Sequence, residues 1–208
     1  MTKKLFLIVS LFLSSMLFAE EVKFEEGVHF SRIATDKSQS PQVTEYFSYY
    51  CPHCMNFEPI AQRLEQELAK DVFVKSHVNF LRGVSPQIQS LLSRAYIIAK
   101  EAGKGNEASE AIFAYIHRHK GSFATIDDVR RLFTMKELMT AEAFNSAAES
   151  MPVLAQEQYM LDQQNRFSNL GALNSVPTFI VNDIYRIELR SIKSYDQLKS
   201  LVDYLLKK

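Results

Sequence analysis

The 208-residue chain balances 24 lysines and arginines against 24 aspartates and glutamates, giving a formal net charge of zero, and 47% of it is hydrophobic. No basic stripe interrupts that balance, so the electrostatic footprint of a nucleic-acid binder is missing. Only two cysteines are present, close together, which excludes a scaffold stapled by several disulfides; the length suffices for a core without staples.

Lys3 and Lys4 precede an apolar run from Leu5 to Phe18, and Ala19 stands before Glu20 and Glu21. Basic start, apolar centre and small residue form the pattern of a secretory signal peptide, predicting export and a cut after Ala19. Leu17, three residues before that cut, is larger than the usual residue there. The run is short for a membrane anchor of about 20 residues. Loss of Lys3 and Lys4 leaves the mature chain two units negative. No later stretch is long and apolar enough to cross a bilayer.

The mature chain reads as an α/β unit interrupted by helices. His29 to Ile33 is a short edge-strand candidate, and Ser38 to Pro41 a turn. Val43 to Tyr49, rich in β-branched and aromatic residues, predicts a strand. A helix follows from Pro52 to about Ala69, with Phe57, Ile60, Ala61, Leu64 and Leu68 on one face. Pro52 suits its first turn, whereas Pro59 lies inside it, where a kink is expected. Val72 to Phe80 is the next strand.

From Gly83 the periodicity turns helical. Ile88, Leu91, Leu92, Ala95 and Ala99 share a face, as do Ala108, Ala111, Ile112 and Tyr115. Thr125 with Asp128 marks a helix start, and Ser150-Met151-Pro152 opens a long helix to about Leu170. Strand texture returns at Thr178 to Val181. A turn at Asn182-Asp183 and a strand from Ile184 to Leu189 complete a hairpin. Ser194 with Gln197 caps a last helix carrying Leu198, Leu201, Val202 and Leu205. The two strands joined by the first helix should be parallel and the hairpin antiparallel, a mixed sheet covered by helices.

Cys51-Pro52-His53-Cys54 carries the chemistry. Two cysteines at this spacing, at a helix start, can open and close a disulfide with little backbone movement. Unpaired N–H groups and the helix dipole favour a thiolate at Cys51, and His53 adds a hydrogen bond or positive charge. Glu58 is too far along the helix to cancel this at close range. Cys51 is therefore expected to be the exposed, acidic thiol, and Cys54 the shielded one. An inert small-loop disulfide would stabilise little. Zinc wants four ligands, usually as two half-sites, and no second pair exists. The histidines of His117-Arg118-His119 lie on different helix faces, and His29 and His77 are isolated. No metal and no cofactor are expected. Pro177, before the Thr178 strand, is either an edge or turn residue or a cis-proline fixing a tight approach to the thiols. Glu45 and Lys75 are either strand-rim residues facing water or a buried pair.

Taken together, Phe47-Ser48-Tyr49-Tyr50-Cys51-Pro52-His53-Cys54, Asn56-Phe57-Glu58, His77-Val78-Asn79-Phe80 and Val176-Pro177 before an apolar strand resemble the DsbA family of periplasmic thiol–disulfide oxidases. The resemblance covers most of the mature chain. It implies a thioredoxin fold with an inserted helical domain: signal peptide 1–19, first thioredoxin part 20–82, inserted helical domain 83–150, and connecting helix with second thioredoxin part 151–208. It implies that Cys51 is the attacked sulfur, that Cys54 is its buried partner, and that Pro52 and His53 tune the pair. Pro177 would be the family's cis-proline, with the Val176 backbone pairing to an extended substrate. Glu45 and Lys75 would influence proton balance beneath the site, with Glu58 in the same group. The implied activity is disulfide donation to unfolded exported proteins in the periplasm by a monomer, which a DsbB-like, quinone-linked membrane partner reoxidises. Isomerase or reductase action, or a non-redox chaperone role, is the alternative. Ser175 and Asp183 depart from the family, which often has glycine there.

Overall fold

The computed structural model describes residues 23–208; the expected signal peptide lies outside the described residues. The described residues form five strands: β1 (Phe30–Arg32), β2 (Val43–Phe47), β3 (Phe73–His77), β4 (Thr178–Val181) and β5 (Tyr185–Ile187). They make one sheet in the order β1-β5-β4-β2-β3. β2 and β3 are parallel, and the other neighbours pair antiparallel. The parallel pair is bridged by α1 (Pro52–Glu67), which runs through Pro59. This is the expected α/β class, a mixed sheet flanked by helices.

Every residue of β2 is buried, so the strand has two covered faces. Val43 looks toward Ala61 and Leu64 of α1 and toward α7 (Tyr195–Lys207), whose Leu198, Leu201, Val202 and Leu205 are all buried. Each of those α7 side chains contributes roughly 2 kcal/mol of burial. Tyr46 looks the other way, onto Phe167 of α6 (Met151–Asn169). Alternation along one strand thus binds both helical layers to the sheet.

The β4–β5 hairpin turns at Asn182 and Asp183, both with positive φ, 51° and 63°. That left-handed pair matches the twist of the strands, and asparagine and aspartate tolerate it. Buried Asn182 also donates from Nδ2 to Leu205 O at 3.0 Å, tying the end of α7 to the sheet.

Between β3 and β4 lie α2 (Pro86–Glu101), α3 (Gly105–Phe113), α4 (Ile126–Met135), α5 (Ala141–Ala148) and α6. Ser85, Thr140 and Ser150 each cap a helix by accepting a backbone N–H, and Thr125 with Asp128 forms a reciprocal capping box.

Two local readings need correction, and one helix has no counterpart in the sequence reading. β3 ends at His77, not Phe80, because side chains take over from the ladder: Gln164 accepts the Asn79 N–H and Gln89 accepts the Leu81 N–H. α5 has too short an apolar pattern to stand out in sequence. The helix carrying Ala108 does not continue through Tyr115; a π-helical turn, Ala114–Arg118, follows Phe113 and buries Ile116.

Candidate active site

The C-terminal end of β2 delivers the chain through Ser48, Tyr49 and Tyr50 to Cys51, the N-cap of α1, with Pro52 at the first helical position. Pro52 lacks an N–H where a helix has no use for one. The Cys51 N–H donates to Ser48 O at 3.0 Å, and Cys51 Sγ accepts the Cys54 N–H at 3.1 Å. A sulfur therefore occupies the place where a serine or aspartate oxygen normally caps a helix. Both cysteines are free thiols.

This geometry lowers the Cys51 pKa to about 6. The hydrogen bond from the Cys54 thiol contributes most; burial opposes it, and the backbone N–H groups of Cys54 and His53 and the nearby His53 assist. Burial pushes the Cys54 thiol far up, and its bond to Cys51 adds to that. The acidic and shielded roles fall on the expected sulfurs, but Cys51 is not the open thiol expected from sequence. It retains 5% exposure against 0% for Cys54, because the Val176 loop covers it and its thiol donates to Val176 O at 3.4 Å.

The Val176–Pro177 peptide bond is cis. Val176 and Pro177 border a groove of about 740 Å³ that also takes in His53, Phe57, Arg186 and Leu189. His53, which lines the groove, and its neighbour Pro52 are both exposed. The groove meets the cysteine pair through Val176, whose carbonyl oxygen lies 3.4 Å from Cys51 Sγ, and through His53.

Beneath α1, Glu45 and Lys75 are register partners on β2 and β3, and Glu58 of α1 points down to meet them. Lys75 Nζ lies 2.5 Å from Glu58 Oε2 and 3.6 Å from Glu45 Oε2. All three are buried, at 0% exposure for Glu45, 3% for Lys75 and 7% for Glu58, so the rim reading of the first two does not hold. Neither Glu45 oxygen has a hydrogen-bond partner among the described residues. Burial raises the Glu45 pKa to about 7 against the pull of Lys75. Burial also works to depress Lys75, but the two carboxylates outweigh it and hold the ammonium above its ordinary range.

A family model described as Thioredoxin matches residues 33–204. The thiol:disulfide interchange protein DsbA of Haemophilus influenzae is 30% identical, over 96% of this chain and 95% of the relative. The chain belongs to the DsbA family. The crystal structure of the disulfide oxidoreductase DsbA from Proteus mirabilis superposes with a TM-score of 0.74 at 26% identity, covering 89% of this chain and 98% of that one. A structure of the same species' DsbA, a cysteine-to-serine variant with a non-covalently bound peptide, gives 0.75 at 24% identity, covering 89% and 100%.

Of the two departures from the DsbA pattern, Asp183 has a local account. Asp183 stands in the left-handed turn where a glycine is common, and its carboxylate pairs with Arg166 at 3.0 Å. Ser175 is exposed on the groove, and its carbonyl accepts the Thr178 hydroxyl at 2.7 Å.

The sequence reading missed a second buried cluster next to the DsbA motif. The Tyr49 N–H donates to His77 Nε2 at 3.1 Å, and His77 Nδ1 pairs with Ser93 Oγ at 2.9 Å. His117 Nε2 donates to Tyr49 O at 2.8 Å, and the Tyr49 hydroxyl pairs with Ser109 Oγ at 2.9 Å. Burial, with Lys75 nearby, pushes the His77 pKa down to about 3, so the ring is neutral. The cluster joins residues up to 68 positions apart. Helical or strand periodicity gives no signal for such contacts.

Proposed function

We propose that this DsbA-family protein is an oxidase that donates its Cys51–Cys54 disulfide to newly exported, unfolded proteins in the periplasm. The single observation that carries the direction is the asymmetry of the sulfurs: Cys51 is acidic at the helix N-cap and Cys54 strongly basic behind it. A stabilised Cys51 thiolate favours the reduced pair, which makes the disulfide oxidising and Cys51 the better leaving group.

The exchange runs in two steps. A client thiolate attacks Cys51 Sγ of the disulfide; a client–Cys51 bond forms, the Cys51–Cys54 bond breaks, and Cys54 leaves and takes up a proton. A second client thiolate then attacks the client sulfur of that mixed disulfide, and Cys51 departs as a thiolate. The client has lost two electrons and gained a disulfide, and the protein holds the dithiol. His53 and Pro52 shape the sulfur's surroundings. Val176 and Pro177 offer backbone for an extended client segment along the groove; the Proteus mirabilis relative is known with a non-covalently bound peptide. Glu45, Lys75 and Glu58 adjust proton balance beneath Cys54, whose thiol the Glu45 charge helps to push up. A DsbB-like, quinone-linked membrane protein restores the disulfide of the monomer. In this reading residues 83–150 are the inserted domain between the two thioredoxin parts.

Equilibration with glutathione buffers tests the direction. The expected potential is less negative than roughly −200 mV; a value near thioredoxin's, roughly −270 mV, would make the protein a reductant. Cys51→Ser should abolish oxidation of a reduced, unfolded test protein, and full retention of that activity would remove Cys51 from the mechanism.

A further inference from the structure

Tyr49 lies two residues before Cys51, in the turn after β2, and each of its polar groups is held by another segment of the chain. Its N–H goes to His77, its carbonyl to His117 and its hydroxyl to Ser109. Its ring stacks on His77, with centroids 5.0 Å apart, and meets Phe113 edge-on at 5.0 Å. Ser109 belongs to α3, His117 to the π-helical turn, and Ser93, which holds His77, to α2. All three therefore come from the helices between β3 and β4, whereas Cys51 caps α1.

The backbone carrying His117 is itself unusual. The His119 N–H reaches back five residues to Ala114 O at 3.0 Å, the bond that defines a π turn. Such turns are rare and concentrate at functional sites. Gly121 leaves the space that the Tyr115 ring fills, so the chain can fold back directly after the turn. Tyr50 is held from the same side, half-buried against the helical core.

We propose that His117 is a positioning residue for thiol–disulfide exchange, setting the place of Cys51 Sγ by holding the Tyr49 carbonyl. A carbonyl oxygen only accepts, so His117 Nε2 must carry a hydrogen. Both the Nε2–H tautomer and the imidazolium satisfy this; the Nδ1–H tautomer does not. The Tyr49 carbonyl belongs to the short run of backbone that ends in the N-cap. Holding it keeps Cys51 Sγ aligned with the Cys54 N–H that stabilises its thiolate. The inference rests on the reading of Cys51 as the attacked sulfur.

The test compares two variants of similar side-chain size, His117→Leu, without a donor, and His117→Gln, whose amide can donate. In each, thiolate absorbance against pH gives the Cys51 pKa, and glutathione buffers give the ratio of reduced to oxidised protein. For His117→Leu the pKa should rise by roughly half a unit to one unit, and the reduced-to-oxidised ratio should fall about threefold to tenfold, as for one lost hydrogen bond. His117→Gln should stay within about twofold of the unsubstituted protein, since its donor is retained.

A folded His117→Leu protein with unchanged pKa and ratio overturns the proposal, as does a Gln variant that behaves like Leu. If the Leu variant does not fold, ring nitrogen NMR of the unsubstituted protein decides: a neutral His117 protonated on Nδ1 overturns the inference. An ordinary thiol pKa in the unsubstituted chain would instead count against the Cys51 reading, so the two failures are distinguishable.

Discussion

Two buried polar clusters flank the cysteine pair, and they solve burial in opposite ways. Beneath α1, Glu45, Lys75 and Glu58 form a charged group in which both Glu45 oxygens lack a hydrogen bond. At the end of β2, Tyr49, His77 and His117 form a group in which every named polar atom has a partner. Desolvation pushes the titrating member of each toward its neutral form, Glu45 up to about 7 and His77 down to about 3. The lesson is one of division of labour. The under-bonded carboxylate can exchange a proton near neutral pH, while the saturated imidazole stays fixed and serves as a strut. Their contributions to stability must then run in opposite directions with pH.

The largest effect should come from His77. Its folded imidazole binds a proton less readily than the unfolded one, so its contribution is complete above the ordinary value of 6.5. It is lost as pH falls toward about 3. His77→Gln keeps an acceptor for the Tyr49 N–H and a donor for Ser93 but does not titrate. Urea unfolding between pH 6.5 and 3 should show the variant losing roughly 4 kcal/mol less stability than the unsubstituted protein. Parallel curves for the two proteins would mean that His77 is not the buried neutral strut.

Glu45 should show the mirror image on a smaller scale. The folded carboxyl keeps its proton more tightly than the unfolded one. Its contribution is present below the ordinary value of 4.5 and is lost as pH rises through about 7. Between pH 4.5 and 7.5 the unsubstituted protein should therefore lose roughly 3 kcal/mol more than Glu45→Gln in the same unfolding experiment. A variant that follows the unsubstituted curve would place the proton elsewhere in the cluster and dissolve the contrast with His77.

These clusters also mark the limit of what the sequence makes legible. The C-x-x-C pair, the strand of Val43, the Thr125–Asp128 box and the long helix opened by Ser150 are local signals, readable from a few neighbouring residues. The strand–helix–strand order also predicts the parallel pairing of β2 with β3 across α1. The inward turn of Glu58, by contrast, follows from its place over Lys75, which only the folded register fixes. The cover that Val176 lays over Cys51 spans 125 positions, whereas the local motif alone predicts an exposed thiol. His117 has a spacing to His119 that suits no metal. Its actual partner is a backbone carbonyl, and a carbonyl has no sequence signature.

The smallest effect separates the side chain of Tyr49 from its backbone. Tyr49→Phe keeps the ring that stacks on His77 and packs against Phe113, and it leaves the N–H and carbonyl bonds in place. It removes only the hydroxyl paired with Ser109 Oγ at 2.9 Å. Loss of one neutral buried hydrogen bond should lower unfolding stability by about 1 kcal/mol. The Cys51 pKa should not move, because the strut acts on Cys51 through the main chain. If thiolate absorbance instead showed Cys51 becoming less acidic in Tyr49→Phe, the hydroxyl–Ser109 contact would be what fixes the loop. The neutral cluster would then work through its side chain and not through the two histidine bonds.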